Sequence, residues 1–381
     1  MTLPLDGVLV LDLSRVLAGP YATQLLGDLG AEVWKIERPG GGDETRSWGP
    51  PFVAGESAYF LSVNRNKRSA ALDFHDPAHL ATIHRAATAA DVVVENFLPG
   101  TLKEFGLDPV SLRQEKPELI ACSITGFGQD GPYAALPGYD AVLQGFTGLM
   151  SATGQPDGPP TKVGVAIVDV LTGAHAAAAI LAALVARSRR GVGSHIDIAL
   201  FEVGVVSMVN VAQAAVGTGV PARRYGNAHP HIVPYQTFEA ADGLLVVAVG
   251  NDDQWRRLCA ALDLHELGSD SRWAENPLRV LHRTEVVDRI AARLKGLPRA
   301  AWLDRLRLAR VPAGPVRDVV EAVRDPALAD RGLLQSCTLA EPQAHLETFG
   351  LPWRLDGSRP SLRYPPPRLG QHTEAFRRRF A

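Results

Sequence analysis

Short apolar runs alternate with segments of helical pattern through the first half of the chain. GVLVLDLS, GPYATQLLGDLG and AEVWKIERPG (residues 7–14, 19–30 and 31–40) predict a strand, a helix that ends at Gly30 and a second strand. Strands that alternate with helices imply a parallel sheet covered on both faces. Four more apolar runs predict further strands, namely DVVVENF, LIACSITGFG, VGVAIVD and HIDIAL.

The pattern changes after about residue 220. Two β runs joined by AADG (residues 240–243) predict a hairpin, and RTEVVDRIAARLKGL and RAAWLDRLRLARV predict charged amphipathic helices. From about Val316 the chain is rich in Pro and Arg. Such a tail cannot build a packed domain alone, so we expect it to lie over the first domain or over a partner subunit.

Composition sets limits on the class of protein. The chain has 381 residues, of which 46% are hydrophobic and 21% charged, which suits two globular domains or one large domain with an insertion. A formal net charge of −2 gives no long-range attraction to nucleic acid or to an anionic membrane. The three cysteines are far apart and do not suggest a disulfide framework. The start lacks the basic region of a signal peptide, so we expect a cytoplasmic location.

One carboxylate, Asp169, stands in the otherwise apolar run GVAIVDVLTGAHAAAAILAAL (residues 164–184). Asp169, Gly173 and His175 interrupt the run, which favours a buried strand followed by a helix over a membrane span. We expect Asp169 where the strand ends and the helix begins, with the helix dipole keeping it ionised. It is then either a plain helix cap or a nucleophile at the carboxyl edge of the sheet.

Other motifs are weaker. GFGQDG (residues 126–131) matches G-x-G-x-x-G, but Pro132 follows at once and no apolar helix does, so a glycine turn near a ligand is favoured over NAD binding. RPGGGDETR (residues 38–46) is either an anion-binding loop or a surface loop. His229 and His231 lack a third ligand, so no metal site is predicted. The chain has no G-x-S-x-G elbow and no Walker A loop.

Seven segments, in order along nearly the whole chain, resemble the class III CoA-transferases, which include formyl-CoA transferase and carnitine CoA-transferase. The segments are LDLSRVLAGPYATQLLGDLGAEVWKIERPGGGDETR, SVNRNKRSAALDF, VENFLPG, SITGFGQDGPYA, GYDAVLQGFTGLMSATG, PTKVGVAIVDVLTG and RYGNAHPHIVPYQTF. The resemblance implies that Asp169 attacks an acyl-CoA thioester and forms first an aspartyl anhydride and then an aspartyl-CoA thioester. An apolar site would orient the carboxylate and exclude water from the anhydride. Coenzyme A is then a substrate, and no tightly bound cofactor or metal is implied.

The resemblance also implies a fold and a set of site residues. The fold is an α/β, Rossmann-like large domain built from both chain ends (residues 1–220 and 318–381), with a smaller inserted α+β domain (residues 221–317), in an interlocked homodimer. The implied contacts to CoA are Arg15, Val16, Arg38, Leu72, Asn96 and Phe97. The implied acyl-site residues are Leu17, Arg46, Gly126, Gly128, Tyr139 and Gly250, and backbone N–H groups of residues 126–131 are candidates to hold an oxyanion.

Two departures from the family pattern bear on the substrate. Leu17 stands where formyl-CoA transferase has a glutamine, and GNDDQW (residues 250–255) replaces the run of glycines found in the branch that acts on oxalate. Both differences favour succinyl-CoA or another dicarboxyl-CoA as donor, with Arg46 as a candidate partner for the distal carboxylate.

Three alternatives remain open. The related 2-methylacyl-CoA racemases need a histidine where this chain has Tyr139, and a tyrosine is a poor proton shuttle at neutral pH. A non-catalytic acyl-CoA-binding protein would have no reason to keep Asp169 within an intact motif. An NAD-dependent dehydrogenase would need the missing context around GFGQDG.

Overall fold

The computed structural model describes residues 2–339 and 344–381. They form two compact units: the first unit contains the chain up to residue 149, residues 162–220 and the chain from residue 326, and the second contains residues 150–161 and 221–325. The strands are β1 (Leu9–Asp12), β2 (Glu32–Glu37), β3 (Phe52–Val53), β4 (Glu56–Ser57), β5 (Lys67–Ala71), β6 (Val92–Glu95), β7 (Ile120–Thr125), β8 (His195–Ala199), β9 (Tyr235–Ala240), β10 (Gly243–Ala248), β11 (Ala313–Pro315), β12 (Leu334–Leu339) and β13 (Ala344–Phe349).

The helices are α1 (Ala18–Asp28), α2 (Ala58–Ser62), α3 (Pro77–Ala89), α4 (Pro109–Glu115), α5 (Asp140–Phe146), α6 (Leu149–Ala152), α7 (Ile167–Arg190), α8 (Leu200–Val206), α9 (Val209–Thr218), α10 (Asp252–Ala261), α11 (His265–Ser269), α12 (Asn276–Leu281), α13 (Arg283–Leu294), α14 (Arg299–Leu308), α15 (Val319–Val323), α16 (Pro326–Asp330) and α17 (Thr373–Arg379). Short 3-10 turns lie at Glu44–Ser47, Thr101–Phe105 and Ser271–Trp273.

The first unit is built on a parallel sheet of six described strands in the order β5-β2-β1-β6-β7-β8. Leu11 of β1 pairs in register with Trp34 of β2 on one side and with Val93 of β6 on the other. The central strands are almost continuously apolar and buried, as a sheet covered on both faces requires. The α/β prediction and the parallel sheet are therefore confirmed.

Each face of this sheet has its own apolar core. Val10, Leu26 and Ile180 belong to the core that α1 and α7 form with one face. Leu11, Trp34 and the helices α3, α4 and α17 form the core on the other face. The strand order reverses between β1 and β6, because the chain first builds outward through β2 and then returns to the other side of β1. Open α/β sheets bind ligands in the crevice at the carboxyl ends of such strands.

The run VGVAIVD does not form the predicted strand. Residues 163–166 are irregular, and a single helix, α7, extends from Ile167 to Arg190 with Asp169 in its first turn. The β-branched residues of this run suggested a strand, but the backbone N–H groups at the start of α7 find an acceptor in a distant side chain, described below, so the helix begins earlier. The strand β5 was not predicted, since KRSAA lacks an apolar alternation.

Helix α7 is long and apolar enough to cross a membrane by length and composition alone, and so are α8 and α9 together, although these two are bent by 83°. In this structure α7 packs against α1, α8 and the sheet, with Ala176, Ala177 and Ile180 buried. Contact with α1 is close: a Cβ atom on Gly173 would lie 2.5 Å from the carbonyl oxygen of Ala18. The bare glycine backbone therefore sets the distance between the two helices.

The second unit has a three-stranded antiparallel sheet, β11-β10-β9, packed against helices around the buried Trp255, Trp273 and Trp302. The predicted AADG hairpin and the two amphipathic helices, α13 and α14, are present. The unit differs from the predicted boundaries in two places. It includes residues 150–161, because the Arg224 guanidinium donates to the carbonyl oxygens of Gln155 and Gly158, and it includes residues 318–325, where Asp325 pairs with Arg317.

The tail of the chain lies over the first unit. The Arg363 guanidinium donates to the carbonyl oxygens of Gly27, Gly30 and Ala31 at the end of α1. The rings of Phe376 and Phe380 pack edge-on against Trp34. The Pro- and Arg-rich segment thus closes one face of the sheet, as expected for a tail that cannot fold alone.

Candidate active site

A pocket of about 260 Å³ lies in the first unit at the reversal point of the sheet. Its walls come from the loops after β1, β6 and β7 and from the first turn of α7. Residues that line it include Val16, Leu17, Asn96, Gly126, Tyr139 and Asp169. We call this cavity the Asp169 pocket. All six are site residues that the sequence predicted, and the fold brings them together.

Asp169 is the third residue of α7, and its side chain does not cap the helix. Instead, Oδ1 of Asp140 accepts the backbone N–H groups of Val168 (2.8 Å) and Asp169 (3.2 Å). The Asp169 carboxylate accepts no hydrogen bond from any of the described residues. The plain-cap alternative is therefore wrong, and the Asp169 carboxylate is available to a ligand in the pocket.

The electrostatics of Asp169 differ from the sequence-based expectation. Burial, and then the negative charge of Asp140, raise the pKa of Asp169 from 3.8 to about 7. The expected helix-dipole effect is therefore outweighed, since desolvation and a like charge both disfavour the carboxylate. A weakly solvated carboxylate is a stronger nucleophile than one in water once it has lost its proton.

The loop after β1 is strained and is held by the side chains of Asp43 and Asn96. Val16 has a φ of 71°, which is unusual for a β-branched residue and costs about 1–3 kcal/mol. Its N–H lies 3.2 Å from Asp43, and the Asn96 side-chain amide both accepts from and donates to the backbone of Arg15. Asp43 is fixed by a fully buried ion pair with Lys35 at 2.9 Å.

The ion pair with Lys35 also lowers the pKa of Asp43. Burial alone would raise the pKa of Asp43, but Lys35 and hydrogen bonds from Thr45 outweigh it and lower the pKa to about 2. Asp43 is therefore an acceptor for the loop throughout the neutral range. Strain held by such surroundings is typical of functional sites.

The N-terminus of α1 opens into the same pocket. The backbone N–H groups of Leu17, Ala18 and Gly19 have no acceptor among the described residues, and the N-terminal end of a helix favours an anion. The glycine turn is different, because the N–H groups of Gly128 and Gln129 already donate to Thr125 and Asp197. The first turn of α1 is thus better placed than those two groups to stabilise negative charge.

Gly126 and Gly138 touch backbone to backbone: a Cβ on Gly126 would lie 2.8 Å from the Cα of Gly138. This contact brings the segment with Tyr139 and α5 against the end of β7. Tyr139 is 59% exposed and lines the Asp169 pocket. Gly128 does not line it, so its predicted role in the acyl site rests on the resemblance alone.

A second pocket, of about 420 Å³, lies beside the ends of β1, β2 and β5, and we call it the outer pocket. Phe97 and Arg15 line both pockets, and Leu72 and Arg38 line the outer one. The outer pocket is largely apolar, and Arg38 at its edge is exposed and makes no ion pair with any residue described here. Apolar rings and a free guanidinium can take a heterocyclic base and a phosphate. The six predicted CoA contacts therefore lie on two adjoining pockets.

Two predicted acyl-site residues are placed elsewhere. Arg46 donates to Glu37, Glu56 and the carbonyl oxygen of Pro367, which occupies all but one of its N–H groups. Its role as partner of a substrate carboxylate stays a prediction, although these contacts do not favour it. Gly250 lies in the second unit, where its N–H donates to Oε1 of Gln254 at 2.6 Å.

Sequence reasoning missed Tyr59 and Asp140. Burial, followed by the charges of Asp169, Asp140 and Asp43, raises the pKa of Tyr59 to about 12. The Tyr59 hydroxyl therefore keeps its proton in the neutral range, and its pKa responds to the charge of Asp169. Nothing in the sequence around Tyr59 signals this role, whereas Asp140 stands in the recognised GYD motif and could have been singled out. Among residues 2–339 and 344–381, no three His, Cys, Asp or Glu side chains cluster in a way that could hold a metal ion.

The fold and the site together define an α/β protein in which a half-buried carboxylate with a raised pKa lines one pocket and a second, largely apolar pocket adjoins it. The sequence profile of CoA-transferase family III matches residues 5–373. A succinate–glutarate CoA-transferase of Agrobacterium fabrum is 45% identical over 377 residues, which are 97% of this chain and 94% of that protein.

A succinyl-CoA:glutarate CoA-transferase of Mus musculus is 43% identical, and the alignment covers 97% of this chain and 85% of the relative. The crystal structure of a CAIB/BAIF family protein from Brucella suis matches with a TM-score of 0.88 at 41% identity, over 100% of both chains. The chain belongs to CoA-transferase family III and is a CoA-transferase. The resemblance recognised in the sequence is confirmed.

Proposed function

We propose that this enzyme transfers CoA between dicarboxylic acids, with succinyl-CoA as donor and glutarate or a similar dicarboxylate as acceptor. The observation that carries the proposal is the identity of 43–45%, over almost the whole chain, with relatives named for succinate or succinyl-CoA and glutarate. Leu17 in the Asp169 pocket is consistent with it, because a leucine there offers no polar side chain to a small acid such as formate.

The proposed reaction begins when Oδ of Asp169 attacks the thioester carbonyl carbon. The C–S bond breaks, CoA leaves as a thiolate, and an aspartyl anhydride remains. The thiolate then attacks the aspartyl carbonyl carbon, which releases the donor acid and gives an aspartyl-CoA thioester. The acceptor carboxylate attacks that thioester, and the returning thiolate cleaves the second anhydride to give the new acyl-CoA and free Asp169.

The surroundings of Asp169 suit these steps. Each tetrahedral intermediate and the thiolate carry negative charge, which the free N–H groups of Leu17, Ala18 and Gly19 can stabilise. Because no step needs a proton, a tyrosine at position 139, rather than a histidine, is compatible with the transferase reaction. Asp169 is half-buried, which reduces the access of water to the anhydride.

We propose Arg15 as the residue that meets the distal carboxylate of the substrate. Arg15 is the cation that lines the Asp169 pocket among the described residues, and its Nη1 pairs with Oε1 of Glu44 at 2.6 Å. The Nε of Arg15 and Oε2 of Glu44 are buried with no hydrogen-bond partner among the described residues. A substrate carboxylate that displaced Glu44 would gain a bidentate partner, which Arg geometry favours.

The test is to incubate the protein with succinyl-CoA and a panel of mono- and dicarboxylic acids and to follow new acyl-CoA species by mass spectrometry. New glutaryl-CoA that is absent with Asp169→Ala supports the proposal. Transfer only to monocarboxylic acids would refute the substrate class. Deuterium entering the α-carbon of a 2-methylacyl-CoA, with no CoA exchange, would indicate a racemase instead.

We also propose that two chains associate. The support is α9, none of whose residues is buried within the chain, together with exposed valines such as Val206 and Val216 (67% and 82%). Light scattering is expected to give a dimer for the native chain and a monomer for the double variant Val206→Asp/Val216→Asp. Val110→Asp, at an exposed valine on α4, is the control. A native monomer would contradict the proposal.

A further inference from the structure

Two buried polar side chains on α5, Asp140 and Gln144, hold the chain that leads into Asp169. Their exposures are 8% and 0%. Oδ2 of Asp140 accepts from Nε2 of Gln144 at 2.6 Å, while Oδ1 of Asp140 accepts the two N–H groups at the start of α7. The two side chains therefore act as one unit, because each fixes the orientation of the other.

Gln144 binds the irregular segment before α7 with both ends of its amide. Its Oε1 accepts the N–H of Val163 at 2.8 Å, and its Nε2 donates to the carbonyl oxygen of Val165 at 3.2 Å. Residues 163–169 are thus tied to α5 by four hydrogen bonds: Gln144 donates one and accepts one, and Asp140 accepts two. This set of contacts, which we call the α5 tether, is the specific attachment of a segment that has no strand partner in the described structure.

We propose that Asp140 is a positioning residue for Asp169: through the α5 tether it fixes the first turn of α7 so that the Asp169 carboxylate faces the pocket in one orientation. This inference rests on the proposed transferase function for its kinetic consequence. Asp140 does not line the Asp169 pocket, whereas its neighbour Tyr139 does. It therefore acts on the reaction through Asp169.

Asp140 affects both the orientation and the ionisation of the Asp169 carboxylate. A displacement of about 1 Å in a reacting group can cost about 100-fold in rate. The charged and titratable groups around Asp169 are Asp140 from α5, Tyr59 from α2, Tyr139, and the Arg15–Glu44 pair across the pocket. Among them, Asp140 raises the pKa of Asp169. The same carboxylate thus orients the nucleophile and keeps it weakly acidic.

The variants Asp140→Ala and Asp140→Asn separate these effects. The alanine variant removes both acceptors. The asparagine variant keeps an oxygen for the N–H groups of Val168 and Asp169, removes the charge, and puts an NH2 group where Oδ2 accepted from Gln144. The control is Asp108→Ala, because Asp108 accepts the N–H groups of Val110 and Ser111 at the start of α4 in the same way and lines neither pocket. The rates of all variants are divided by the concentration of folded enzyme before they are compared.

The expected result is a loss in kcat of about 100-fold for Asp140→Ala, with the KM for succinyl-CoA changed by less than about threefold. Asp140→Asn is expected to retain most of kcat and to move the acidic limb of the rate profile to lower pH. Amide hydrogen exchange at Val168 and Asp169 should accelerate in the alanine variant and much less in the asparagine variant. Asp108→Ala should lower the stability of the protein and leave kcat unchanged.

The proposal is overturned if folded Asp140→Ala keeps the native kcat and pH profile, since Asp140 would then contribute to stability only. It is also overturned if exchange at Val168 and Asp169 is unchanged, because the tether would then not hold the turn. Neither result bears on the proposed function. That function is refuted separately if the native enzyme transfers CoA between no tested pair of donor acyl-CoA and acceptor acid. In that case, the exchange rates still decide whether the tether exists.

Discussion

Replacing Asp169 with asparagine should stabilise the folded protein while it abolishes CoA transfer. Burial, followed by Asp140, raises the pKa of Asp169 from 3.8 to about 7 in the folded chain. A difference of three pKa units corresponds to about 4 kcal/mol of unfavourable free energy for the ionised group. Asparagine has the same shape and carries no charge, so it removes this cost without creating a cavity.

The sign of the effect follows from proton linkage. Below about pH 4 the carboxyl holds its proton in both states, so native chain and variant should differ little. Between pH 4 and pH 7 the folded state binds more protons than the unfolded state, and the stability of the native chain falls as pH rises. Above pH 7 the folded state bears the full cost. The advantage of Asp169→Asn should therefore grow from pH 4 to pH 7 and then level off.

The assay is urea-induced unfolding of both proteins at pH 4.5, 6 and 8, with amide exchange in β1 and β6 to assign the transition to the first unit. We expect the variant to be more stable by about 2–4 kcal/mol at pH 8 and by less than about 1 kcal/mol at pH 4.5. Glu202→Gln, at an exposed position on α8, is the matched control. A stability difference that is absent, or equal at all three pH values, would refute the reasoning.

Three further predictions follow from the site. The rate of CoA transfer should fall about tenfold per pH unit below pH 7, because only ionised Asp169 attacks, and a flat profile down to pH 5 would contradict the raised pKa. Gly173→Ala should cost about 1–3 kcal/mol of stability and lower kcat, since its Cβ would push α1 from α7. Gly314→Ala on β11, which has open space around it, should change neither; denaturation and rate measurements check both variants. Arg15→Gln should raise the KM for dicarboxylates more than for monocarboxylates, whereas Arg46→Gln should affect both acid classes alike; a dicarboxylate-specific loss in the Arg46 variant would restore the prediction made from the sequence.

The sequence was sufficient to predict the parallel sheet and to single out Asp169, for physical reasons that are local. Continuous apolar runs between helical segments indicate buried parallel strands. A single carboxylate in an apolar run indicates a functional residue, because burying its charge costs free energy. The start of α7 could not be found this way. VGVAIV is rich in β-branched residues, and only the tertiary contact with Asp140 supplies the acceptors that let a helix begin at Ile167.

The side-chain partners of the site residues could not be predicted from the sequence either. The RPGGGDETR motif shows that Arg46 is charged, but only the folded chain shows that Glu37 and Glu56 already pair with it. Tyr59 is far from Asp169 in sequence, and only the folded chain exposes its hydroxyl to the charge of that carboxylate. Side-chain partners in a site built from several loops depend on the fold as a whole.

The central claim is that CoA passes through a covalent bond to Asp169. The most direct test is to mix the enzyme with succinyl-CoA alone, quench it rapidly and measure the mass of the peptide that contains Asp169. We predict that this peptide carries a CoA moiety as a thioester, that the adduct disappears when glutarate is added, and that Asp169→Asn never forms it. A peptide that stays unmodified while CoA transfer proceeds would contradict the account.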